Sequence, residues 1–161
     1  LNGCTANGLS INLPSAKGFI KSSRLRLTNS RGITLGTANI SCSIITGDKT
    51  QTGIEITGRD GYYDTSAAQE IVRSSISNFI TGVSVAGKTI SLIINEANFF
   101  ANDQYNVYTK TPMDIVATNN FWGTRALDRN RAKIYDYYQD IENGKVLVDP
   151  MVATKIDNNM C

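Results

Sequence analysis

Three carboxylates stand close together in the chain: Glu55, Asp60 and Asp64. Glycoside hydrolysis needs a carboxylate pair, about 5–5.5 Å apart in retaining enzymes and roughly 6.5–9.5 Å apart in inverting ones. Glu55 with Asp60 or Asp64 could supply that pair; the plain alternative is one outward strand glutamate followed by a polar loop. Tyr62, Tyr63 and Tyr108 offer flat faces on which sugar rings pack, and Arg59 and Asp60 can hydrogen-bond hydroxyl groups. Each tyrosine could instead be half buried against neighbouring structure. The candidate catalytic residues, were the chain an enzyme, are Glu55, Asp60 and Asp64. The candidate ligand-binding residues are Arg59, Asp60, Tyr62, Tyr63 and Tyr108, and no metal-ligating set is expected.

Composition excludes other chemistries. The chain has 161 residues and no histidine, which removes imidazole general-base catalysis, histidine-containing triads and histidine metal ligands. Cys4, Cys42 and Cys161 have no zinc or redox spacing, and an odd count leaves at least one unpaired or paired between chains. The net charge of +2 hides an asymmetry: Lys17, Lys21, Arg24, Arg26 and Arg31 all precede the first acid, Asp48. A basic end can attract an anionic polymer such as nucleic acid, an acidic glycan or a membrane surface, or it can be only a solvated face. Lys17, Lys21, Arg24 and Arg26 alternate so that some could share one sheet face, a modest site for an acidic glycan. No apolar run is long enough for a transmembrane helix. Leu1 is not an initiator methionine and nothing resembles a signal peptide, so the natural start is expected to be trimmed, processed or cut from a longer chain. Asn39-Ile40-Ser41 matches a glycosylation sequon, a short and weak signal.

The elements that must position these residues repeat. A glycine followed by apolar–polar–apolar recurs as Gly8-Leu9-Ser10-Ile11, Gly32-Ile33-Thr34-Leu35, Gly53-Ile54-Glu55-Ile56 and Gly82-Val83-Ser84-Val85. Asn106-Val107-Tyr108-Thr109 is a degenerate copy, with Asn as the next-best residue for positive φ. The steps are 24, 21, 29 and 24 residues. Between copies lie further apolar stretches of strand length, such as Ile40 with Ile44-Ile45 and Leu92-Ile93-Ile94, rich in β-branched residues and bounded by Gly, Asn, Ser or Asp.

Such a repeat is that of a β-solenoid, whose inward residues stack in columns from rung to rung. One expected column is Leu9, Ile33, Ile54, Val83 and Val107, flanked by Ile11, Leu35, Ile56 and Val85. The outward neighbours are then Ser10, Thr34, Glu55, Ser84 and Tyr108. Asn29, Asn78 and Asn102 are expected at corners. The longest step carries the loop with Arg59, Asp60, Tyr62, Tyr63 and Asp64, and rung insertions of this kind go to the surface, often on the binding face. After Gly123 the pattern changes: Leu127, Ile134, Tyr138 and Ile141 fall on one helical face, Gly144 ends that run, and Lys145-Val146-Leu147-Val148 reads as a strand. Residues 1–123 are therefore expected to be coil and 124–161 a cap and tail that shields the last rung. Cys4 and Cys161, near opposite ends, would pair poorly in a straight coil.

The repeat, with Asn119-Asn120-Phe121-Trp122-Gly123, Ile134-Tyr135-Asp136 and Gly144-Lys145-Val146-Leu147-Val148-Asp149-Pro150, resembles the right-handed parallel β-helix repeat proteins of the pectate-lyase-like superfamily. There the Asn-Asn-aromatic-Trp-Gly turn ends the last rung. The resemblance implies an all-β, right-handed parallel β-helix of about five rungs with a short helix-plus-strand cap. It also implies polysaccharide as the usual ligand, handled by lyases, hydrolases, tailspikes or adhesive surface modules. Its lyases hold Ca²⁺ in a carboxylate cluster, and Ca²⁺ takes about six to eight oxygens. Of the outward positions named here only Glu55 is acidic, so no cofactor is expected and Ca²⁺ has no support. Trp122, at the turn into the cap, reads as a packed structural residue. The expected function is a non-catalytic extracellular or cell-surface module, binding carbohydrate or forming part of an adhesin or larger assembly. The alternative is a polysaccharide-degrading hydrolase or lyase. The expected partners are a polysaccharide or surface glycan, and a second copy or upstream domains; neither nucleic acid nor a membrane span is expected.

Overall fold

The computed structural model describes residues 1–7, 11–28, 32–58, 69–87, 91–124 and 126–157, and for residues 13–17 it describes the backbone only. These residues form a parallel β-solenoid of about five turns with one short helix. Every strand pairing is parallel and joins a strand to its counterpart one turn away. A parallel ladder of this kind leaves side chains alternating between the interior and solvent, so the period-two phrases of the sequence fold into it directly.

Three faces run the length of the coil. Two long strands, Ile11–Lys21 and Ile33–Ser41, each serve two of them: residues 33–35 pair with Thr52–Ile56, and residues 39–41 pair with Gln69–Val72. The first face continues upward through Thr81–Ala86, Tyr105–Lys110 and Ile134–Tyr135. The second continues through Leu92–Asn95, Ile115–Val116 and Val146–Leu147. The third stacks Thr5–Asn7, Arg24–Arg26, Ile44–Thr46, Ser75–Ser77 and Asn98–Phe100.

Inside, the columns are apolar and fully buried. Ile33, Ile54, Val83, Val107 and Ile134 stand one above another, as do Ile40, Ile71 and Ile94 on the second face and Leu25, Ile45, Ile76 and Phe99 on the third. Each such side chain contributes about 1.5–3 kcal/mol of burial.

Three expectations are corrected. First, the pairing places Ile11, not Leu9, opposite Ile33, and Asn12, not Ser10, opposite Thr34. The first step is thus 22 residues. A slip of two preserves which side chains face inward, so alternation alone cannot detect it. Leu9 and Ser10 lie outside the described residues.

Second, Gly32, Gly53 and Gly82 of the repeat do not serve positive φ, and Gly8 lies outside the described residues. Among the described residues the positive-φ glycines are Gly3, Gly58, Gly87 and Gly123. A Cβ on Gly32 would strike the carbonyls of Thr52 and Gly53, and one on Gly82 would stand 2.8 Å from the Asn106 oxygen. The rungs approach too closely there for any side chain.

Third, the helix is only Leu127–Arg131, and Ile134–Tyr135 leaves it as a strand of the first face. Tyr138 and Ile141 are exposed. Asp136, buried, organises the turns that follow: its carboxylate accepts from Arg131 Nη1 at 3.0 Å, from the Val146 amide at 2.8 Å and from the Tyr138 amide at 3.2 Å. A side chain that captures local backbone amides in this way competes with helix. Gly144 does not cap a helix; a Cβ there would collide with the Met113 carbonyl.

The corner between the second and third faces is the most regular feature. Gly3, Ser22, Cys42, Arg73, Glu96 and Asn119 all occupy it with φ between 47° and 62°. From Ser23 upward, the side chain of the residue that follows accepts an amide from the turn below, except at Ala97, which has no acceptor. The Ser23 amide donates to Ser43 Oγ at 3.1 Å, the Ser43 amide to Ser74 Oγ at 3.1 Å, and the Ala97 amide to Asn120 Oδ1 at 2.8 Å. Among the expected corner asparagines, Asn78 has φ 62°. Asn102 is buried, accepting from the Phe79 amide at 3.1 Å and donating to the Ile76 carbonyl at 3.3 Å. Asn29 lies outside the described residues. Trp122 is a core residue as expected, 3% exposed and stacked on Phe99 with centroids 4.9 Å apart.

Candidate binding face

The outward side of the first face carries one residue per turn in strict register: Asn12, Thr34, Glu55, Ser84, Tyr108 and Tyr135. The strands beneath are held by the aliphatic columns, and neighbouring strands lie about 4.8 Å apart. The column is therefore a straight, evenly spaced track. Its lower part is polar. Thr34 Oγ1 donates to Glu55 Oε2 at 3.1 Å, which orients the exposed carboxylate along the track.

The upper part is aromatic. The rings of Tyr108 and Tyr135 stack with centroids 4.6 Å apart and planes 24° from parallel. Tyr105 joins them, 5.5 Å from Tyr108 and 5.8 Å from Tyr135. Lys110 sits over the Tyr108 ring at 5.6 Å. All three tyrosines are half-buried, so each keeps part of its surface for a ligand.

Of the candidate residues, Glu55 and Tyr108 share this track, two turns apart and thus separated by about 10 Å of strand stacking. Arg59, Asp60, Tyr62, Tyr63 and Asp64 lie outside the described residues. Among the described residues no group of three or more His, Cys, Asp or Glu is placed to hold a metal ion. No helix among them is long and apolar enough to cross a membrane.

Tyr105 and Tyr135 are additions to the sequence reading. Tyr135 becomes visible only when Ile134 is recognised as the next member of the Ile33–Val107 column, since its neighbour must then stand above Tyr108. Cys42 is disulfide-bonded and Cys4 is a free thiol.

Neither a protein-family model, nor a curated protein, nor a solved structure matches the chain.

Proposed function

We propose that this chain is a non-catalytic extracellular or cell-surface β-helix module that binds carbohydrate along the first face, alone or as part of an adhesin or larger assembly. The observation that carries this reading is the juxtaposition of the Tyr105–Tyr108–Tyr135 cluster with the polar track of Ser84, Glu55 and Thr34. Aromatic faces take the apolar C–H surface of a sugar ring, and hydroxyl and carboxylate groups in line with them take its hydroxyls. The extended, regular spacing suits a linear chain of sugars better than a compact metabolite. The parallel coil and the Asn119–Gly123 turn, with buried Trp122, support membership of the pectate-lyase-like superfamily. The disulfide at Cys42 supports an oxidising, extracellular compartment.

Binding to a panel of neutral and acidic polysaccharides tests the reading. Tyr108→Ala with Tyr135→Ala is expected to weaken the best ligand by about tenfold or more, the loss of two stacking contacts. Tyr62→Ala with Tyr63→Ala measures the share of the sequence between Gly58 and Gln69. Unchanged affinity in the first pair removes the track from the site. Release of reducing ends or unsaturated products, lost in Glu55→Gln, would replace the module with a glycan-cleaving enzyme using Glu55 with Asp60 or Asp64.

A further inference from the structure

The third face divides into a covered and an open half. Above, the chain's own C-terminal segment lies against it. Asn98, fully buried, accepts from the Ile156 amide at 2.8 Å and donates to the Ile156 carbonyl at 2.9 Å, and Lys155 sits 4.3 Å over the Phe100 ring. Below, the same face opens into a trough of about 760 Å³. Its walls include Arg24, Arg26, Lys49, Asn7, Thr46 and Asn78.

The register explains the change. The outward position held by Asn98 and Ser75 in the upper turns is held by Arg24 near the bottom, and the position held by Ser77 and Phe100 is held there by Arg26. Both arginines are exposed and flank buried Leu25, so their side chains leave the same side of one strand, about 7 Å apart.

The charge balance is positive. Asp48, whose Oδ1 accepts from the Thr50 amide at 3.2 Å, is the one acid of the described lining against Arg24, Arg26 and Lys49. Lys49 pairs with Asp103 at 2.9 Å. Among the described residues neither Arg24 nor Arg26 meets a carboxylate within salt-bridge distance. Two guanidinium forks therefore stand over a concave surface that apolar Leu25 and Ile44 line along with the polar side chains.

We propose that this trough is a second binding site, for an acidic polysaccharide, separate from the aromatic track of the first face. Guanidinium groups grip carboxylate or sulfate oxygens bidentately, and Arg24 and Arg26 offer two such grips along one strand. Asn7, Thr5, Thr46 and Asn78 supply hydrogen bonds for the hydroxyls between the charges. The described lining holds no aromatic ring, so a nucleic acid would find phosphate contacts but no stacking platform for its bases. A neutral glycan would find no aromatic platform either. This site does not depend on the function proposed for the first face.

The test uses the whole chain with polygalacturonate, heparin, neutral dextran and a thymidine oligonucleotide as probes, at about 50 mM and about 300 mM salt. Polygalacturonate or heparin is expected to bind more tightly than dextran or the oligonucleotide, with affinity falling as salt rises. Arg24→Glu with Arg26→Glu is expected to lower that affinity at least about tenfold while the melting temperature stays unchanged. Arg24→Lys with Arg26→Lys, keeping charge but not the fork, should lose less. Tyr108→Ala with Tyr135→Ala should leave acidic-glycan binding intact, which separates failure of this site from failure of the first. Charge reversal without effect on the acidic glycans overturns the proposal, as does an absence of acidic-glycan binding at low salt. An oligonucleotide that binds as tightly and is lost in the same variant overturns it in favour of nucleic acid.

Discussion

Two corners of the coil behave oppositely. Between the second and third faces four successive strand pairs are joined by two residues each, at 22–23, 42–43, 73–74 and 96–97. Between the first and second faces the connection is continuous strand in Ile33–Ser41, four residues after Lys110, five after Ala86 and twelve after Ile56. The constant corner carries a left-handed residue and an internal hydrogen-bond ladder, which constrain length. The variable corner borders the track of Glu55, Ser84 and Tyr108, and its longest connection contains Arg59, Asp60, Tyr62, Tyr63 and Asp64 in sequence, outside the described residues. Length freedom beside a rigid column is how a repeat scaffold diversifies a binding face without disturbing its core.

Insertion should break this contrast most visibly. One glycine added between Cys42 and Ser43 shifts every downstream strand of that turn by one position, which turns inward side chains outward. A loss of more than about 4 kcal/mol, or failure to fold, is expected from burying the wrong face of one turn. The same glycine added after Gly87 lengthens a connection whose length already varies from turn to turn and should cost less than about 1 kcal/mol. Urea unfolding midpoints compare the two, and equal costs would dissolve the distinction between the corners.

Within the constant corner the effect should grade with the bonds lost. Asn120 accepts from the Ala97 amide and donates to the Ile94 carbonyl at 2.8 Å, both buried. Asn120→Ala strands two backbone groups and should cost about 2–4 kcal/mol. Ser43→Ala strands the Ser23 amide and frees the Ser41 carbonyl, which Ser43 Oγ reaches at 2.8 Å, for about 1–2 kcal/mol. The ordering of the two losses in urea or thermal unfolding checks the ladder; the reverse order would place the stabilisation elsewhere.

The difference between the corners also explains what could be read from residues alone. The Gly-apolar-polar-apolar phrase exposed the solenoid and the Ile33–Ile54–Val83–Val107 column, because inward positions tolerate only a narrow set of side chains. The constant corner stayed hidden because Gly, Ser, Cys, Arg, Glu and Asn share one backbone conformation there and no common side chain. Ser23, Ser43 and Ser74 look like ordinary loop serines until their turns are stacked. Tyr135 was obscured by a helical spacing of Leu127, Ile134, Tyr138 and Ile141 that the buried carboxylate of Asp136 overrides. Glu55 and Tyr108 were legible as outward residues of the repeat, since both follow an inward member of the column.

The smallest effect should come from a charged pair of the constant corner that faces solvent. Arg73 and Glu96 are successive left-handed residues, and Arg73 Nε meets Glu96 Oε2 at 2.6 Å with both side chains about half exposed. The hydrogen bond to Glu96, with its charge, raises the Arg73 guanidinium above its ordinary value. A raised basic group gives stability that is fully present below its unfolded-state value and lost only as pH climbs through the folded one. Both values lie far above neutral pH, so this shift adds no pH dependence in the working range. Solvent screens the pair, and holding two long side chains together costs rotamer freedom. Arg73→Ala, Glu96→Ala and the double variant should therefore share one unfolding midpoint from low to high salt. A double-mutant cycle with clear, salt-sensitive coupling would show that the corner draws stability from its surface as well as from the ladder beneath it.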